Sequence, residues 1–420
     1  MALSATEQYM LELINRARLD PVAEARRYGL DLDADLAPGT IARQSLQVLA
    51  PDDRLRAAAE GHSSWMLQAD VFSHDGAGGS SAYDRMTAEG YAFEGGWSWR
   101  ENLAWRGTTA PSIDLAAAID SHHEGLYRSA GHRTNTFAPQ VREIGIAQVA
   151  GTFTYEGTDY RSSMVTQNFA LSGPEVFVTG VAFADRDGDR FYGVGEGLSG
   201  VTVSAAGAGA TTAAAGGYAL ATTADSLTVE VTRDGTRLAR LTLDTSEGNV
   251  KLDVIDRAEG GTALALSASA TLSDSRLDAV WLLGTDDLDL TGASTRNELI
   301  GNAGDNRLSG RGGADRLEGG AGDDRLSGGG GRDWLEGGAG DDWLEGGAGA
   351  DRFVYSGGAD RIADFGAQDR ILLDGGLDTP GRTQVLMQGG DAVLDFGGGD
   401  RLVIEDASGL WVLAEDITFL

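Results

Sequence analysis

Apolar positions in the first third of the chain recur at the helical period. Over residues 6–28, Tyr9, Leu11, Leu13, Ile14 and Ala17 are interleaved with Glu, Asn and Arg, a pattern that predicts a helix. Residues 53–70 and 112–128 predict two more, while 143–150 and 161–171 read as strands. This mixture predicts an α/β domain over 1–172, ending near Gly173-Pro174. From 175 to about 257 the pattern shortens to alternation, as in Val176-Phe177-Val178 and Val201-Thr202-Val203, broken by glycine. Such alternation predicts a small β-sandwich over 173–258. A further β-rich stretch runs from Ala263 to Leu290, and beyond it the chain becomes periodic.

The period is nine. Glycine recurs at Gly292, Gly301, Gly310, Gly319, Gly328, Gly337 and Gly346. Five positions after each stands Asn297, Asn306, Asp315, Asp324, Asp333, Asp342 or Asp351. Two further on is Leu299, Leu308, Leu317, Leu326, Leu335, Leu344 or Phe353. Glycine permits a tight turn, and the apolar residue supplies a short inward strand. A disordered Gly/Asp linker has no reason to keep an apolar residue at one phase through seven repeats. The nonapeptide resembles the RTX (hemolysin-type) calcium-binding repeat, which implies a parallel β-roll over 259–420. Two nonapeptides make one coil, so residues 18 apart stack. Asp315 with Asp333, Asp324 with Asp342 and Asp333 with Asp351 are then expected to share Ca²⁺ ions, a hard cation that prefers oxygen ligands. The Asn residues of the first two repeats predict weaker sites or none.

The segment after the repeats, with Asp360-Arg361-Ile362-Ala363-Asp364-Phe365, Asp369-Arg370-Ile371-Leu372-Leu373 and Asp395-Phe396, resembles the usual RTX ending. Its last residues, Asp416-Ile417-Thr418-Phe419-Leu420, are expected to serve as an uncleaved type I secretion signal. The start of the chain lacks a basic segment and a long apolar run, so no N-terminal signal peptide is expected.

Charge sharpens this division. The chain of 420 residues carries 64 acidic and 33 basic side chains, a net charge of −31. Residues 1–172 hold 22 acids and 14 Arg, a net of −8, leaving −23 for the rest. All five histidines lie in the first third. Such acidity argues against nucleic-acid binding. With no cysteine, disulfides, thiolate metal sites and a thiol nucleophile are excluded. No apolar run approaches the roughly 20 residues of a membrane-spanning helix.

A second oxygen cluster falls in the middle segment. Asp185, Asp187, Asp189 and Glu196 occupy positions 1, 3, 5 and 12 of a loop with EF-hand spacing, although position 6 is Arg190 and strands flank the loop. The stretch from Thr179 to Val203 resembles the B-repeat modules of bacterial surface adhesins. That resemblance implies a calcium-stiffened β-sandwich spacer; the plainer reading is a solvated acidic hairpin tip.

Three motifs concentrate chemistry in the first domain: Ala59-Glu60-Gly61-His62 leading to Phe72-Ser73-His74-Asp75, then Arg100-Glu101-Asn102-Leu103, then Ser129-Ala130-Gly131-His132-Arg133 before Val141-Arg142-Glu143-Ile144-Gly145. In this order they resemble the CAP superfamily in its bacterial SCP-like branch, over nearly all of residues 5–170. The resemblance implies an α-β-α sandwich with a surface cleft, where two His and two Glu can hold a divalent ion such as Zn²⁺. His74, Glu101 and His132 match three of those positions; the fourth falls on Ser129. Two imidazoles and one carboxylate with an open position suit Zn²⁺ plus water, and equally suit a polar cleft with weak metal binding. His62 is expected to be a structural histidine. Of His122 and His123, adjacent on a helix, one at most is expected to face the cleft and the other to be solvated. Trp97-Ser98-Trp99 is placed to border a groove. His123-Glu124-Gly125-Leu126-Tyr127 lacks the second histidine of H-E-x-x-H, and no G-x-S-x-G elbow occurs.

These readings converge on an extracellular calcium-binding protein exported by type I secretion machinery, its cleft binding a lipid, glycan or protein. The competing readings are a secreted metal-dependent hydrolase with His74, Glu101 and His132 as candidate catalytic groups, and a structural adhesin or surface-layer component.

Overall fold

The computed structural model describes residues 2–374, 384–407 and 417–419. Of the expected secretion signal, Asp416 and Leu420 lie outside the described residues. The chain divides into two compact units, residues 1–225 with 245–260, and residues 226–244 with 261–420.

The first unit begins with helices α1 (Ala5–Leu19) and α2 (Pro21–Arg27), strand β1 (Ala50–Pro51), and helices α3 (Asp53–Ala69) and α4 (Ala82–Ala88). Then come β2 (Ser98–Thr108), α5 (Leu115–Arg128), α6 (Ala130–Thr136), β3 (Glu143–Tyr155) and β4 (Thr158–Leu171). The periodic stretch at 6–28 is two helices rather than one. Asp20 breaks it, its carboxylate accepting from Ala23 N at 2.8 Å as the cap of α2, with Pro21 at the first helical position. Ser4 and Glu7 close α1 with a reciprocal capping box.

The strands form a sheet in the order β1-β3-β4-β2. Met10, Leu11, Leu13 and Ile14 of α1 pack on Ile144, Ile146, Val165 and Phe169 of β3 and β4. On α3, Leu55 and Ala58 pack with Met86 of α4 and Ala170 of β4. A Cβ at Gly145 would overlap the backbone of Leu55 and Arg56, so only glycine lets α3 lie this close to β3. Helices with α1 and α3 therefore cover a four-stranded sheet, as an α-β-α arrangement requires.

Strands β5 (Val176–Ala184), β6 (Val201–Ala205), β7 (Ala208–Thr211) and β8 (Gly217–Thr222) follow, then β9 (Ser226–Arg233), β10 (Thr236–Asp244) and β11 (Val250–Asp256). Within the first unit β11 runs parallel to β5, β8 antiparallel to β5, and β6 pairs with β7. The only lysine, Lys251 on β11, is buried, its Nζ 2.6 Å from both Glu12 Oε2 of α1 and Asp253 Oδ1. Asn249 donates through Nδ2 to the carbonyls of Val48 and Arg142. These buried polar contacts join β11 to α1 through Glu12 and to the segments that lead into β1 and β3.

In the second unit the hairpin β9–β10 pairs antiparallel with Ala270–Ser275. Parallel strands then stack in two sheets, at intervals of 18 residues from Asp289 onward. One sheet runs through 289–291, 307–309, 325–331, 343–349 and 359–362, and the other through 262–266, 279–282, 298–300, 316–321, 334–339, 352–355 and 370–373. Leu299 faces Leu317 and Leu308 faces Leu326, each 18 residues on. The apolar residues of the nonapeptides fill the interior, all exposed by 1% or less from Leu299 to Phe353. This is a parallel β-roll, as the nine-residue period predicts.

Candidate functional sites

In the first unit, a cavity of about 870 Å³ gathers the three motifs. His74 follows α3, Glu101 comes from β2 and His132 from α6, and all three line it. Ser129, Asn135, Arg100, Trp97 and Trp99 complete most of the wall. Hydrogen bonds tie β2 to α6 beneath this cavity: Asn135 Nδ2 donates to Glu101 O and Asn102 Oδ1, and Asn102 Nδ2 donates to His132 O.

Glu101 is buried and has two partners. His74 Nδ1 lies 2.8 Å from Oε1, and Arg85 of α4 donates from Nη2 to Oε2 at 2.5 Å. Arg85 Nη1 also donates to the carbonyls of Ser80 and His74, so the chain wraps the guanidinium. Burial, and then the neighbouring His74, holds the His132 imidazole below its usual pKa. Among the described residues, the set of three acidic or imidazole groups whose ligand atoms all lie within 4.8 Å of one another is Asp185, Asp187 and Asp189. His74, Glu101 and His132 share a cavity without converging that closely, Glu101 is engaged by a guanidinium, and the fourth position is Ser129. With the guanidinium in place, this donor set does not fit a divalent ion.

The remaining histidines are structural. His62 Nε2 lies 2.9 Å from Ser73 O, and the ring stacks on Trp65. His122 and His123 are both buried, which corrects the expectation that one is solvated. His122 Nε2 lies 3.0 Å from Ser163 Oγ, and His123 Nε2 lies 3.0 Å from Glu24 Oε1, with Arg16 on the same carboxylate. Neither lines the cavity. Trp97 borders it as expected, half exposed and packed with Tyr83 and Phe93 at centroid distances of 5.5 and 5.3 Å.

In the roll, Asp315, Asp324, Asp333, Asp342 and Asp351 are buried and stacked 18 apart. Each Oδ1 accepts a backbone N–H from 18 residues earlier: Asp315 N donates to Asp333 Oδ1, Asp324 N to Asp342 Oδ1, and Asp333 N to Asp351 Oδ1, all at 2.8 Å. Each Oδ2 is buried without a partner. Desolvation raises the Asp342 and Asp351 carboxyls to about 6 and Asp324 to about 7. A row of dry carboxylate oxygens with unused lone pairs fits Ca²⁺. The row extends further than the ligand set expected from sequence. Asp360 and Asp369 stack on Asp342 and Asp351 through the same bond. Their signal was present, since aspartate keeps its nine-residue phase after the glycine five positions earlier gives way to Tyr355 and Asp364. At the other end Asn297 and Asn306 begin the row, donating N–H to Asp315 Oδ1 and Asp324 Oδ1.

The loop after β5 brings Asp185, Asp187 and Asp189 together. Glu196 is not part of that trio; its carboxylate ties the loop's two ends, accepting from Arg186 N at 2.9 Å and Gly193 N at 2.7 Å. Arg190, at position 6, takes φ +62°, the left-handed conformation that glycine usually supplies.

Residues 11–169 match the family model of the Cysteine-rich secretory protein family, CAP, and residues 291–326 and 327–362 each match that of the RTX calcium-binding nonapeptide repeat. The chain thus carries a CAP domain followed by RTX calcium-binding repeats. Similar solved structures include an extracellular protein containing a SCP domain from Bacillus anthracis, at 23% identity, with 40% of either chain covered and a TM-score of 0.24. Extracellular lipase LipA from Serratia marcescens is 14% identical over 35% of this chain and 41% of that one, TM-score 0.21. The AlgE6R3 subunit of the Azotobacter vinelandii mannuronan C5-epimerase is 31% identical over 30% of this chain and 78% of that one, TM-score 0.16. The chain spans about two fifths of the first two structures. A comparison with curated proteins gives no match. Among the described residues no helix is long and apolar enough to cross a membrane.

Proposed function

We propose that this is a secreted binding protein, its CAP cleft taking a carbohydrate and its RTX roll folding on calcium after export by type I secretion machinery. The observation that carries the cleft reading is its wall. Half-exposed Trp97, backed by Tyr83 and Phe93, stands beside His74, Ser129, His132 and Asn135. An aromatic face next to hydrogen-bonding groups suits a sugar, whose ring stacks while its hydroxyls bond. A lipid tail would press against the polar groups of His74, Arg100, Glu101, His132 and Asn135, which interrupt the tryptophan surface. The absence of a converged metal set weighs against the hydrolase reading.

Asp315, Asp324, Asp333, Asp342 and Asp351, with Asp360, are the residues that would hold Ca²⁺ in the roll, each with an unpartnered Oδ2; Asp369 ends the row with both oxygens engaged, and Asp185, Asp187 and Asp189 would hold an ion in the loop. Bound calcium would supply the positive charge that these carboxylates lack. The sugar reading is tested by titrating oligosaccharide fragments of cell-surface polysaccharides against tryptophan fluorescence. Trp97→Ala should weaken binding about 3- to 10-fold, the worth of one aromatic contact. Unchanged affinity in this variant, or no binding by any fragment, would overturn it.

A further inference from the structure

The CAP resemblance implies a divalent ion among His74, Glu101 and His132, but in this chain a different cation already stands against the carboxylate. We propose that Arg85 is the resident cation of the cleft: its guanidinium takes a divalent ion's place on Glu101, so that the two imidazoles meet the ligand directly, without metal. The proposal rests on the reading of the cleft as a ligand site and adds what organises it.

Both oxygens of Glu101 are engaged, Oε1 with His74 Nδ1 and Oε2 with Arg85 Nη2. A metal at this carboxylate would have either to displace one of them or to share an oxygen with it. Displacing Arg85 is unfavourable because its side chain is 11% exposed and bound through Nη1 to the carbonyls of Ser80 and His74. Leaving it in place puts a dication beside a fixed positive charge in a partly buried site, where repulsion is strong. The arrangement is also sufficient by itself. A buried carboxylate needs a compensating charge, and the guanidinium supplies it with a short charge-assisted bond. Glu101 in turn fixes His74 through Nδ1, which leaves Nε2 as the ring nitrogen available to a ligand. Arg85 is therefore a positioning residue, acting on the cleft through Glu101 and His74.

The test uses the full-length chain in saturating CaCl₂, with Co²⁺ as the probe and its visible absorption as the readout, since imidazole ligation gives a distinct band. The wild type should give no such band. Arg85→Met should gain one Co²⁺ per chain, at least about tenfold tighter than any residual wild-type binding, and lose it again with His74→Ala. Arg85→Gln is run in parallel in case the Met variant fails to fold, with melting curves to establish folding. Arg85→Lys, which keeps the charge, should exclude Co²⁺ as the wild type does. Stoichiometric Co²⁺ binding by the wild type that His74→Ala abolishes would overturn the proposal. So would folded Met and Gln variants that bind no more Co²⁺ than the wild type. Oligosaccharide binding is recorded on the same samples; its failure would sink the sugar reading and leave the cobalt result standing.

Discussion

Glu143, at the start of β3, is 6% exposed beneath Tyr91, whose hydroxyl donates to Oε2 at 2.5 Å. Burial raises this carboxyl to about 7, against the opposing effect of the Tyr91 bond. Because the folded pKa lies above the unfolded value, Glu143 favours folding most below about pH 4.5, and that contribution is lost as pH rises through about 7. Glu143→Gln keeps an acceptor for Tyr91 and removes the charge. It should stabilise the protein at pH 8 by up to about 3 kcal/mol and have little effect near pH 4, as read by thermal melts at both. A difference independent of pH would contradict the assignment. None of this is visible in the motif Val141-Arg142-Glu143-Ile144-Gly145, because burial depends on Tyr91, 52 residues away. Arg85 escaped notice for the same reason: its significance lies in partners on other elements, Glu101 on β2 and the loop at 74–80. His74, Glu101 and His132 were legible because each sits in its own recognisable motif, and the fold does bring them to one cavity.

At the scale of elements, the nonapeptide was the most legible part of the chain. Its glycines and aspartates are coupled sterically as well as by turn geometry. A Cβ at Gly310, Gly319, Gly328, Gly337 or Gly346 would press on Oδ2 of the aspartate five residues on. The glycine thus keeps open the space beside the unpartnered oxygen. Gly337→Ala should therefore reduce the calcium bound per chain by at least one ion without unfolding the first unit, measured by calorimetric titration and melting. An unchanged stoichiometry would show that the glycine serves the turn alone. The interior leucines are each worth about 1.5–3 kcal/mol of burial, and outward side chains keep the register too, with Arg325 3.6 Å from the Trp343 ring centroid. Helix ends were read less well. Periodicity alone ran α1 into α2, because a capping aspartate and a proline interrupt the backbone without interrupting the apolar pattern.

Over the whole chain, the unequal charge acquires a structural meaning. The excess of −23 in residues 173–420 includes the row of carboxylates that the roll buries with unpartnered oxygens. Burying them ionised is costly without cations, so calcium binding and folding of the roll should be one event. The CAP domain meets its buried carboxylates with its own cations, as at Glu24 with Arg16 and Glu101 with Arg85, and needs no such supply. The most direct test is far-UV circular dichroism of the full-length chain, first in chelator and then titrated with CaCl₂ at constant ionic strength. The account predicts a cooperative gain of β signal by about 10⁻⁴–10⁻³ M calcium, the usual range of extracellular modules. A spectrum in chelator already identical to the calcium-loaded one, and unchanged up to about 10 mM, would contradict it.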